Sequence, residues 1–172
     1  MLAMIVVAVA VLGGMMMVSI GMLRNNSNKV DTTGTNVAQT VLERIASTGP
    51  NVSTILSVTD CLQTDPATST LKINTAPGGP LPLGNGDIDF SQSPAAWNAA
   101  GYQMNYTVCA PNGPQIVYDV RWSISPVYSN PASTTGPAFG KMVTASAQQQ
   151  AVANGKGVAL LRPVTLRTIV GM

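Results

Sequence analysis

The chain has 172 residues, of which only 9% are charged, with a formal net charge of +2 and no histidine. Ordinary soluble domains carry about 25% charged residues. The nine basic residues are scattered from Arg24 to Arg167 without forming a run. That excludes the clustered cations that nucleic-acid binding needs. The missing histidine removes the commonest general base, proton shuttle and metal ligand.

Met1 to Leu23 has no charged residue, and its one hydroxyl is Ser19. As a helix it would be roughly 35 Å long, enough for a hydrocarbon core of about 30 Å. A cleaved secretory signal would have a shorter apolar run, a basic start and a small-x-small cleavage site. Here nothing basic precedes the run, and Val18 to Met22 is a poor cleavage site. A domain of this size could hardly enclose 23 apolar residues as a core helix. The expectation is therefore a membrane-spanning helix over residues 1–23. Arg24 and Lys29 follow it, which the positive-inside rule would place in the cytoplasm. A short basic leader ahead of Met1 would reconcile this with an exported domain. Gly14 and Gly21 lie seven residues apart on one helical face and are candidate close-contact positions for assembly.

Residues 25–36 are polar and only weakly helical in propensity. Beyond them Val37, Val41, Leu42 and Ile45, with Ala38, make one apolar stripe at helical spacing. Gln39, Glu43 and Arg44 fall on the other side. This predicts an amphipathic helix over 35–48 that lays its stripe on a sheet. Thr35 or Asn36 is its expected cap, and Gly49-Pro50 its end.

From Asn51 onward the apolar runs are short and Pro, Gly, Ser, Thr and Asn recur. Expected strands are Tyr102 to Cys109, Ile116 to Ser125 and Lys141 to Ala147, with Val164 to Val170 as an edge strand. In the second, Tyr118, Val120, Trp122 and Ile124 alternate with Val117, Asp119, Arg121 and Ser123. Pro111-Asn112-Gly113-Pro114 is turn chemistry, so the first two strands should form a hairpin. Residues 71–89 and 126–140 are expected loops.

Cys61 and Cys109 have no neighbouring histidine or cysteine, as a metal site or catalytic thiol would want. An even count in an exported domain favours pairing. The bridge would close roughly 49 residues, worth about 4 kcal/mol in the chain-entropy treatment. Two separately buried thiols are the alternative. Asp87 and Asp89, in Gly84-Asn-Gly-Asp-Ile-Asp89, are candidate Ca²⁺ ligands. They lack the further carboxylates of an EF-hand, so a solvated turn is the simpler expectation. No Gly-x-Ser-x-Gly elbow occurs. Trp97, Trp122 and the four tyrosines offer a conceivable adhesive surface, with Trp122 expected in the core.

Met1 to Gly14 and Val37 to Ile45 together resemble the N-terminal region of type IV pilins and pseudopilins, closest to PilV-type minor pilins. Lys141 to Thr144 and Pro163 to Ile169 resemble the family's sheet strands. The likeness covers the first 48 residues; beyond them it is one of style. The family's Gly-Phe-Thr-Leu-x-Glu motif is absent, and its glutamate would stand immediately before Met1. The resemblance implies an α+β fold: a long N-terminal hydrophobic helix (1–48) packed on an antiparallel β-rich domain (49–172). It implies a non-enzymatic filament subunit with no cofactor, no metal and no small-molecule substrate. Its partners would be other pilin or pseudopilin subunits, met through the N-terminal helix. It would start in the inner membrane, with its domain in the periplasm, and end in an extracellular pilus. A type II secretion pseudopilin and a membrane-tethered periplasmic binding domain are the alternatives.

Overall fold

A computed structural model describes residues 31–109, 115–128, 138–150 and 162–171. The chain divides into two compact units, Met1–Thr33 and Gly34–Met172. The expected span 1–23, with Gly14 and Gly21, lies outside the described residues.

Helix α1 covers 31–46. Val37, Ala38, Val41, Leu42 and Ile45 are all buried, while Gln39, Glu43 and Arg44 are exposed. The i, i+4 spacing lets Gln39 donate to Glu43 Oε1 at 2.8 Å on the outer side. The helix is already formed at residue 31, so Thr35 and Asn36 lie inside it rather than capping it. At its other end the chain tightens, with Thr48 N–H donating to the Ile45 carbonyl. Lys141 then reaches in to donate to Thr48 Oγ1 at 2.6 Å and to the Gly49 carbonyl at 3.1 Å. A cation at a helix C-terminus is favourably placed against the helix dipole. Burial lowers the pKa of this ammonium.

The main sheet has four antiparallel strands in the order β3-β4-β5-β6. They are β3 (Gln103–Val108), β4 (Ile116–Val127), β5 (Gly140–Gln149) and β6 (Val164–Gly171). Alternation along paired strands sorts the side chains onto two faces. Met104, Val120 and Ala147 share one face through the pairs Met104↔Val120 and Val120↔Ala147. Tyr118, Trp122, Ile124, Val143 and Ala145 join them, and all are buried. This apolar face receives α1: a Cβ on Gly34 would lie 3.5 Å from Tyr118 and 3.6 Å from Val164.

The opposite face carries Gln103, Asp119, Arg121, Ser123, Thr144 and Ser146, and these are buried too. Their cover comes from the segment that sequence patterning marks as a loop. Short strands β1 (Ile55–Ser57) and β2 (Lys72–Asn74) pair as a second antiparallel sheet. Asn74 O accepts the Trp122 indole N–H at 3.0 Å, which ties β2 to the apolar face. Gly78 then exchanges two 2.8 Å backbone hydrogen bonds with Ile124, extending the sheet where β3 has ended. Gly79 follows at φ +99, and a Cβ there would sit 2.3 Å from Trp122 O, so no other residue fits unchanged. From here the chain crosses to the polar face. Gly86 O accepts Arg167 Nη2 at 2.8 Å, and the carbonyls of Asp89 and Gln92 accept Arg121 Nη1 at 3.1 and 2.9 Å. Helix α2 (Pro94–Ala99) returns the chain to β3.

The expected fold class needs correction. Of the described residues 39% are in strands and 19% in helix, so the fold is mostly β, built from two antiparallel sheets. No long apolar helix is among the described residues, and α1 is amphipathic. The α+β description with a long N-terminal hydrophobic helix on the sheet is therefore not the observed architecture. The physical reason is that the chain ahead of β3, including the expected loop 71–89, supplies β1, β2 and a wrap that closes the second face of the sheet. Among the described residues no helix is long and apolar enough to cross a membrane.

Candidate functional site

Arg121 is almost fully buried, and its charge is met on the same strand two residues away. Its Nη2 lies 2.7 Å from Asp119 Oδ2 and its Nε 3.1 Å. The Phe90 ring stacks on the guanidinium, with 4.7 Å between the guanidinium carbon and the ring centroid. Asp119 Oδ1 also accepts Gln103 Nε2 at 2.9 Å. The network continues outward: Gln103 Nε2 donates to Asn105 Oδ1, and Gln103 Oε1 accepts Asn98 Nδ2, both at 2.9 Å. A buried ion pair therefore fixes a row of amide side chains that ends at the protein surface.

That row forms one wall of a groove of about 620 Å³ between the two sheets. Asn98 to Gly101, at the end of α2, make a second wall, and Gln63 with Ser69 to Lys72 make the third. Its exposed apolar surface comes from Ile55, Ala99 and Ala100, while Leu71 and Met104 border it from the core. Gln63 is held in place because its Oε1 accepts the Thr70 N–H at 2.7 Å and the Thr70 hydroxyl at 3.0 Å. Among the described residues no carboxylate lines the groove, and Lys72 is its one cation. Volumes of this size are typical of small-ligand sites.

Two residues before Gln63 the chain is pinned by Cys61, which is disulfide-bonded to Cys109 with their Cα atoms 5.9 Å apart. The neighbouring Asp60 accepts three backbone N–H groups, from Leu62 (2.9 Å), Gln63 (2.7 Å) and Thr107 (3.1 Å). Burial pushes its pKa up, but the hydrogen bonds from Gln63, Thr107 and Leu62 outweigh that and hold it below the usual 3.8.

The sequence-derived candidates fall as follows. Cys61 and Cys109 are brought together. Val37, Val41, Leu42 and Ile45 are buried on α1, away from the groove. Asp87 and Asp89 are both engaged in turns. Asp87 Oδ2 accepts Asn85 Nδ2 at 2.7 Å, and Asp89 Oδ1 accepts Ser91 N–H at 2.8 Å. Among the described residues no three or more His, Cys, Asp or Glu side chains are grouped to hold a metal ion. Trp122 is fully buried, and Trp97 is half-buried with its indole N–H on Gln92 Oε1 at 3.1 Å. Sequence reading missed the groove. Its residues come from five separate stretches, none with a motif, and only the burial of Asp119 and Arg121 reveals how they are aligned.

No protein-family model matches the chain, no curated protein is significantly similar to it, and no solved structure matches it significantly.

Proposed function

We infer that the chain is a structural subunit of a type IV pilus or a related filament, a minor pilin tethered and assembled through its N-terminal apolar segment. The observation that carries this reading is the division of labour between two apolar stretches. The stripe of α1 is spent on the chain's own sheet, with Val37, Val41, Leu42 and Ile45 buried. It has nothing left to offer a neighbour. Met1 to Leu23 is charge-free and includes Gly14 and Gly21, small residues that suit close packing between helices. Its partners on this reading are other pilin-like subunits, with the inner membrane holding the chain before assembly. The disulfide supports a periplasmic and then extracellular location, because such bonds persist where the medium is oxidising. A pseudopilin of a type II secretion system uses the same features. A tethered periplasmic binding domain is the second reading, and the amide-lined groove favours it.

The test is fractionation. Wild type should be recovered both in membranes and with sheared filaments. Gly14→Leu should insert and fold normally but be depleted from the filament fraction, because a large side chain at a close contact forces backbones apart. Equal incorporation removes the glycine-contact account. A wild type that never leaves the membrane in cells with working pili overturns the filament reading and leaves the tethered domain.

A further inference from the structure

We propose that the groove between β3, the end of α2 and the β1–β2 sheet binds a short neutral saccharide. The fold leaves several hydrogen-bonding atoms along this groove unused. Asn98 spends its Nδ2 on Gln103, which leaves Oδ1 as an acceptor. Asn105 spends its Oδ1 on Gln103 and on Gln150, at 2.9 and 2.7 Å, which leaves both Nδ2 hydrogens as donors. Gln63 spends its Oε1 on Thr70, which leaves both Nε2 hydrogens. Lys72 Nζ has no partner among the described residues. Each amide is oriented by its committed half, so the free half is preset rather than freely rotating. Preorganised donors and acceptors cost little ordering entropy on binding.

This arrangement discriminates between ligand classes. An extended peptide would bind by adding a strand to the free edge of β3. That edge is closed on both sides of the groove. Thr107 N–H is taken by Asp60, and at the other end the Gln103 carbonyl accepts Asn98 Nδ2 at 3.4 Å. Too few backbone groups remain for a ladder. An acidic ligand would want a net positive field. Among the described residues Lys72 is the groove's one cation, while Asp60 and Asp65 lie on the neighbouring turn and Asp119 is matched by Arg121. A neutral sugar fits what is left: mixed donors and acceptors for hydroxyls, beside apolar surface for the ring's C–H face. The site stands on its own geometry and does not depend on the filament reading. It also departs from the sequence-based expectation that no small molecule is bound, since the ligand here is held and not transformed.

The test uses the full chain in a phosphocholine detergent, which carries no sugar to compete. Calorimetric titrations with lactose, cellobiose, maltose and chitobiose should show saturable binding of at least one, with a dissociation constant near about 1 mM. Ala99→Trp fills the groove from an exposed position without removing a hydrogen bond. It should reduce affinity at least tenfold with an unchanged melting temperature, and Lys72→Ala should weaken binding several-fold. Absence of saturation below about 10 mM for all four sugars overturns the proposal. So does binding that Ala99→Trp leaves unaffected, and so does preferential binding of digalacturonate or of a tri-alanine peptide.

Discussion

The Asp60 carboxylate accepts the backbone N–H of Thr107 at 3.1 Å, joining positions 47 residues apart beside the Cys61–Cys109 bridge. A covalent link and a charge-assisted hydrogen bond thus secure the same seam, between the 60–63 turn and β3. The turn carries Gln63, so this seam also positions one wall of the groove.

The folded-state pKa of Asp60 is depressed, so its contribution to stability is present above the unfolded value of 3.8 and is lost as pH falls through the folded value. Wild type should lose stability on acidification below about pH 4. Asp60→Asn should start about 2–3 kcal/mol less stable at pH 7, because hydrogen bonds to a charged group are the stronger kind. Its acid limb should be shallower. Chemical denaturation at pH 7 and pH 3 measures both. Parallel pH profiles for the two proteins would remove Asp60 as the titrating group.

Reducing the disulfide should cost roughly 4 kcal/mol by the chain-entropy estimate for a 48-residue separation. Urea unfolding with and without a phosphine reductant reads the difference. Alkylation of the native protein without reductant should label neither cysteine, and two labels in the mass spectrum would contradict the bridge.

Arg121→Met should destabilise by about 3–5 kcal/mol, because it leaves Asp119 buried without its partner. Asp119→Leu should cost a similar amount. The double variant should cost clearly less than the sum, since neither charge is then stranded. Additive losses would show that the pair does not act as a unit.

Ile45→Ala should cost about 2–5 kcal/mol, as expected for a large-to-small change at a fully buried site. Glu43→Ala, on the exposed side of α1, should stay within about 0.5 kcal/mol. Equal effects would mean that α1 does not hold its stripe against the sheet.

Gly79→Ala should destabilise by about 2 kcal/mol or more, because residue 79 is at φ +99 and a Cβ would meet Trp122 O at 2.3 Å. Gly84→Ala, with nothing within 4 Å of its Cβ, serves as the control. The readout is the melting temperature. A matching drop for both would show that the crossing at Gly79 is not tight.

Period and turn chemistry in the sequence sufficed for the parts of this protein that obey local rules. The stripe from Val37 to Ile45 specified a helix with one buried side. The alternation from Val117 to Ile124, with the turn residues 111–114, specified the β3–β4 hairpin. The even cysteine count in a sparsely charged domain read as exported pointed to Cys61–Cys109. The tertiary structure alone decided what covers the second face of the sheet. Alternation marks Asp119 and Arg121 as the polar side of β4, and a polar side is ordinarily a wet one. Here the wrap from Gly79 to α2 buries them, and backbone carbonyls of Asp89 and Gln92, too distant in sequence to be foreseen, satisfy the guanidinium. The groove depends on that same burial. Asn98, Asn105 and Gln63 are ordinary polar residues in the sequence. They become a site only where a long-range network fixes which half of each amide is spent and which half is left for a ligand.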